Sequence, residues 1–191
     1  LFALVASGVV FADAAPPDFS DGRIVAGFDG KCASTEVFQA ANLAPVIADA
    51  LDRVREEYSF LWGDRAIRLD LNADGKPEHF VPLGCSGTGH CGWVVVGGSP
   101  PAVVGDLSGI RAIYVHEPTQ ARAWPVLTGV WSEGAGQGGV ARYAWDTARK
   151  SYVESSSESI SGIVYEAFLE GIGNPDCRIR TNLPAPGKAT P

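Results

Sequence analysis

The residues best spaced for chemistry are Asp70, Asn72, Asp74, Lys76 and Glu78, in the run Asp70-Leu71-Asn72-Ala73-Asp74-Gly75-Lys76-Pro77-Glu78. Short oxygen-bearing side chains stand at positions 1, 3 and 5, glycine at 6 and a carboxylate at 9, as at the start of a Ca²⁺ loop. Side chains at every second residue can point into one small cavity if the backbone wraps round it, and Gly75 permits the sharp turn. The Lys76 carbonyl adds an oxygen and Glu78 closes the ring. Hard oxygen ligands suit Ca²⁺ or Mg²⁺ and bring no redox chemistry. A full EF-hand also needs a glutamate at position 12 and a helix on each side, whereas position 12 is Val81 and segments 66–69 and 79–83 read as strands. The expectation is a hairpin connection holding Ca²⁺ through Asp70, Asn72, Asp74, Lys76 and Glu78. The alternative is a tight turn capped by its own Asp and Asn side chains.

Other chemistry finds less support. The three histidines, His79, His90 and His116, are isolated and give no zinc spacing. His79 alternates with Phe80 and so faces solvent from a strand, His116 ends a strand beside Glu117, and His90 is the best exposed candidate for a ligand or contact. No Gly-x-Ser-x-Gly occurs, and the glycines at 97–98 and 134–139 lack the strand-loop-helix setting and lysine of a phosphate loop. Carboxylate pairs such as Asp64 with Glu78 or Glu117 would serve glycoside hydrolysis only if brought together in space. The chain therefore reads more as a binding protein than as an enzyme, with no catalytic residue nominated. Trp93, Trp124, Trp131, Tyr143 and Trp145 would supply an aromatic contact surface, but at least three of them belong in a core, and alternation turns Trp131 or Trp145 outward.

The elements that must position these groups follow from pattern. The 191 residues carry 46% hydrophobic and 19% charged side chains with 23 glycines and 13 prolines, which favours a loop-rich β protein over a helical bundle. The formal net charge of -7 and the lack of a basic patch argue against nucleic acid. From Ser34, a capping residue with Thr35-Glu36-Val37 opening a turn, Leu43, Val46, Ile47, Ala50, Leu51, Val54 and Tyr58 recur at helical spacing, giving one amphipathic helix that covers a sheet face. Strands follow at 65–70, 78–84, 93–96, 102–105, 111–116, 123–131, 140–145 and 150–154, with 106–109 a turn, 132–139 a flexible loop and 155–161 solvated. Segment 163–169 is a strand or a short helix. The fold class is α+β, predominantly an antiparallel β meander of about six to eight strands with one N-terminal amphipathic helix packed on the sheet.

In domain terms, 1–31 is a signal-peptide remnant or an N-terminal strand with a linker, 32–170 a single α+β domain, and 171–191 an extended Pro/Gly-rich tail. Residues 1–14 are apolar, and Ala12-Asp13-Ala14 fits a small-x-small cleavage site. The run is too short for a transmembrane helix. Methionine is absent even at position 1, which points to a processed or partial gene product. Four cysteines suit an oxidising, periplasmic or extracellular compartment. Of the three possible pairings, Cys85 with Cys91 closes a small loop and leaves Cys32 for Cys177, whose long closure would stabilise by roughly 4 kcal/mol or more. There is no Cys-x-x-Cys for thiol exchange.

The Asp-x-Asn-x-Asp-Gly-x-x-Glu segment resembles the calcium-loop element of integrin-type, FG-GAP/VCBS-like β repeats. Together with Cys85-Ser-Gly-Thr-Gly-His-Cys91 it is similar to small secreted or periplasmic bacterial proteins of unassigned activity. The resemblance implies Asp70, Asn72, Asp74 and Glu78 as side-chain ligands; a single loop does not make a closed propeller. The function expected is a secreted or periplasmic binding module, stabilised by Ca²⁺ and disulfides, that meets a protein or polysaccharide. The alternatives are a cell-envelope hydrolase or hydrolase inhibitor acting through the Cys85 to Cys91 loop, and an assembly subunit whose residues 1–14 pair with a neighbour's sheet edge.

Overall fold

A computed structural model describes residues 19, 21–26, 35–37, 65–86, 90–121, 123–160 and 162–173. The expected helix from Leu43 to Tyr58, residues 1–14, Cys32 and Cys177 lie outside the described residues. Among the described residues the chain is mostly antiparallel β with one short helix. Its strands are β1 (Gly22–Ala26), β2 (Thr35–Val37), β3 (Arg65–Leu69), β4 (Glu78–Cys85), β5 (Cys91–Gly97), β6 (Ala102–Ile110), β7 (Ala112–His116), β8 (Leu127–Gly134), β9 (Gln137–Asp146) and β10 (Ser151–Ile160), followed by α1 (Gly162–Gly173). They form two five-stranded sheets, β2-β3-β4-β5-β6 and β1-β7-β8-β9-β10.

The chain therefore meanders as expected, but through two sheets, with more strands than the six to eight expected. Segment 106–109 does not turn: Asp106 and Leu107 pair with Val94 and Trp93, so β6 runs on to Ile110. Segment 132–139 is no loop either. β8 and β9 extend to a tight connection at Gly134, Ala135 and Gly136, which all take positive φ, of 87°, 51° and 76°. Two glycines there make that backbone accessible, and local pattern gives no sign that strands continue on both sides. Segment 155–159 is solvated as expected and yet paired to β9 from Ser156 on, because an edge strand keeps one partner while its Ser and Glu side chains face water; Ile160 is buried. Thr35–Val37 pairs with β3 rather than opening a helix. Segment 163–169 lies in α1, which continues to Gly173 and so past the expected start of the tail.

The layers are set by alternation. Ile113 and Val115 of β7 point into a core between the sheets, where they meet Phe80, Trp93, Val95, Leu107, Leu127 and Tyr143. Ala112 and Tyr114 point the other way, into a second core with Ile24, Val130 and Val140 that Tyr165 and Phe168 of α1 cover. All five residues of β7 are thus buried, which is the mark of a strand between two apolar layers. The Trp131 indole lies flat on Gly139 of β9, so close that a β-carbon there would sit 2.0 Å from a ring carbon. Among the described residues no helix is long and apolar enough to cross a membrane.

Phe168, fully buried, packs against Phe19 with ring centroids 5.5 Å apart and against Tyr114 at 6.5 Å. Phe168→Ala should cost about 3–5 kcal/mol in urea unfolding, as deletion of a buried aromatic does. A loss under about 1 kcal/mol would mean that the helix is not an integral layer.

Candidate metal centre

The 70–78 loop hangs between β3 and β4, and the register pair Leu69 with Glu78 closes it, so it is the hairpin connection expected. Its shape is held by its own carboxylates and amides. Asp70 Oδ1 accepts the Asp74 N–H at 3.1 Å and Oδ2 the Gly75 N–H at 2.9 Å. Asn72 Oδ1 accepts the Asp74 N–H at 3.0 Å, and Asp74 Oδ1 accepts the Lys76 N–H at 2.7 Å. The Asn72 amide donates to Asp74 Oδ2 at 3.4 Å. Ala73 and Gly75 take positive φ of 53° and 88°, which folds the chain round these oxygens. Asx-type bonding of this kind serves a tight turn and a cation loop equally.

Glu78 distinguishes the loop from an ordinary turn. Its side chain is 2% exposed, and Oε2 accepts the Leu71 N–H at 2.8 Å. Room for it is made by Gly97, where a β-carbon would lie 2.8 Å from Glu78 Cγ. Burial pushes the Glu78 carboxyl up to about 7 from 4.5; the Leu71 N–H opposes this, while the charges of Asp74 and then Asp70 push the same way. Tyr152 feels the same charge: its hydroxyl is raised by burial and then by Glu78, and it donates to the Pro125 carbonyl at 3.1 Å.

The five expected ligand residues thus belong to one compact loop. Asp70, Asp74 and Lys76 are exposed, whereas Asn72 and Glu78 are buried. Among the described residues no group of three or more His, Cys, Asp and Glu side chains is gathered to hold a metal ion, so Asp70, Asp74 and Glu78 alone do not make a cage. In donor type the loop fits Ca²⁺, with carboxylates, the Asn72 amide oxygen and the Lys76 carbonyl as hard oxygens.

Two of the histidines, His116 and His90, are engaged within the fold. His116 Nδ1 lies 2.8 Å from Asp21 Oδ1 and Nε2 lies 2.9 Å from Thr128 Oγ1. That connectivity is the one found in hydrolase triads, but Thr128 is wholly buried at 0% exposure and no substrate reaches its hydroxyl. Sequence reasoning singled out His116 yet had no signal for Asp21, 95 residues away. His90 is not the free contact expected: it is half-buried, and Nε2 stands 2.9 Å from the Ser132 nitrogen and 3.0 Å from its oxygen, tying the 85–91 hairpin to β8. Cys85 and Cys91 are register partners, and the neighbouring Ser86 N–H donates to the His90 carbonyl at 2.7 Å.

Of the aromatic residues, Trp93 and Tyr143 are buried and Trp131 is half-buried on Gly139. Trp145 stacks on Trp124 at 3.8 Å and 6°, with Tyr152 edge-on to both. No protein-family model, curated protein or solved structure matches the chain.

The raised Glu78 carboxyl fixes the sign of a pH effect. Between about 4.5 and 7 the folded metal-free chain holds a proton that the unfolded chain has lost, so this group's contribution to stability falls as pH rises across that window, by up to about 3 kcal/mol. Glu78→Gln should remove the fall, leaving the variant more stable than the parent at pH 8 and closest to it at pH 4, in urea unfolding with a chelator present. Parallel pH profiles for the two proteins would show that Glu78 is not held in this state.

Proposed function

We propose that this chain is a secreted or periplasmic, non-catalytic binding module, stiffened by Ca²⁺ in the 70–78 loop and by a Cys85–Cys91 disulfide, whose surface meets a protein or polysaccharide. One observation carries the reading. The Glu78 carboxylate is buried under a loop that adds the charges of Asp74 and Asp70, and no ion pair reaches it among the described residues. A divalent cation on the loop would balance these charges and supply the hard electrophile that Asp70, Asn72, Asp74, the Lys76 carbonyl and Glu78 are chemically suited to bind.

The pairing of Cys85 with Cys91 supports the oxidising compartment. If 86 and 90 form a hydrogen-bonded pair, 85 and 91 occupy the adjacent non-hydrogen-bonded position, where Cα atoms approach to about 4.5 Å, within disulfide range. The bonding of His90 and His116 favours a non-catalytic role, since their ring nitrogens are engaged within the fold.

Isothermal titration of chelator-stripped protein with Ca²⁺ should give one site, and the ion should raise the melting temperature. Asp70→Ala and Asp74→Ala should each abolish both. Absence of heat and of any melting shift in the parent protein would reduce the loop to a self-capped turn.

A further inference from the structure

Beside the 70–78 loop the sandwich opens into a cleft of about 300 Å³ whose walls come from both sheets. Leu69 and Leu71 line it from the exit of β3, Val115 and Pro118 from the exit of β7, and Pro125 from the approach to β8. These residues make an aliphatic floor. Arg23 and Glu117 are exposed along the rim.

Arg23 stands where alternation asks for an apolar residue. It pairs with Val115, and register partners share a face; Val115 and Val25 belong to the core between the sheets. A guanidinium is therefore carried on the inward face of β1 at the open end of that core. Among the described residues neither Arg23 nor Glu117 has an ion pair or a side-chain hydrogen bond. The other two polar side chains that line the cleft, Asp70 and His116, each make two hydrogen bonds within the fold. Asp70 has both oxygens on the Asp74 and Gly75 N–H groups, and His116 has both nitrogens on Asp21 and Thr128.

What is left for a ligand is one fork of donors and one carboxylate above an aliphatic floor, in a volume at the small end of ligand pockets. We propose that this cleft binds an aliphatic residue bearing a free α-carboxylate and an N–H on its α-carbon, as a free amino acid or as the last residue of a peptide. Arg23 takes the carboxylate, for which its planar fork is matched. Glu117 accepts from the N–H, and the side chain lies on Leu69, Leu71 and Val115. Glu117 and the net charge of -7 disfavour phosphates and dicarboxylates. The inference goes beyond the calcium reading and does not depend on it.

The test is isothermal titration of the full chain with L-leucine and, separately, with an N-acetylated tripeptide ending in leucine, each in Ca²⁺ and in chelator. A saturable single site for either ligand is expected, weakened at least tenfold by Arg23→Gln and several-fold by Glu117→Gln, with no binding of isoamylamine, which lacks the carboxylate. Heat from leucine alone identifies the free amino acid, and heat from the peptide alone identifies a chain end. Because Arg23 is exposed, its variant should keep the parent's melting curve, which excludes misfolding as the cause of a loss. Silence from both ligands, or equal affinity in Arg23→Gln, overturns the proposal. The chelator arm separates this from the calcium site, since binding that persists there stands whatever the loop does with Ca²⁺.

Discussion

The chain turns from one sheet into the other within a single residue where it leaves β6 at Ile110 and enters β7 at Ala112. Ile110 still pairs with Cys91 in the first sheet. One residue later the Arg111 N–H donates to the Val130 carbonyl of the second, at 2.6 Å, and its guanidinium donates to the Tyr165 hydroxyl of α1 at 3.0 Å. Three layers are thus tied within a single residue. Gly129 makes the corner possible, because a β-carbon there would lie 2.6 Å from Ile110 Cγ2. With that approach Ile110 seals the core between the sheets; without it each sheet would present an apolar face to water.

The candidate sites sit away from this corner. At the far end of β7, the β3–β4 loop, the exit of β7 and the approach to β8 come together. Glu78 is anchored on the rigid side of this opening, at the first residue of a strand paired on both sides. Loops are where binding residues concentrate, and a loop whose closing carboxylate is fixed in the sheet has less freedom to lose when it binds.

The sequence announced what depends on near neighbours. The oxygen spacing from Asp70 to Glu78, the β-branched run of β5 and the alternation of β9 and β10 each carry their own period, and the elements formed where those periods lie. It was silent where the same period serves two outcomes. Alternation passes through Ile110, Arg111 and Ala112 with little to mark a change of sheet, so a meander in one sheet and a meander folded into two read alike. The glycines at 134 and 136 looked like a loop and are one tight turn, and nothing in the pattern showed that Gly97, at the end of β5, is the space that Glu78 fills. Arg23 drew no attention, because a lone arginine in a short strand becomes informative only once Val115 is seen beside it.

Two polar clusters with buried members lie close together in this fold, and they differ in how fully those members are met. Asp21, His116 and Thr128 complete one another: with the proton on Nδ1 the ring donates to the carboxylate and accepts from the hydroxyl. The set is satisfied as it stands. It joins the start of β1 to β7 and β8, with Thr128 and His116 buried and Asp21 at the surface. Glu78 is the opposite case. One backbone N–H answers its carboxylate, two further acids press on it, and it keeps its proton to about neutral pH to limit the cost. A folded chain retains a group in that condition only against a standing loss of stability, and uncharged glutamine could make the same bond to Leu71 without it. A carboxylate, unlike an amide, also meets a divalent cation with full charge, so the residue that weakens the metal-free fold is the one whose chemistry a cation would reward.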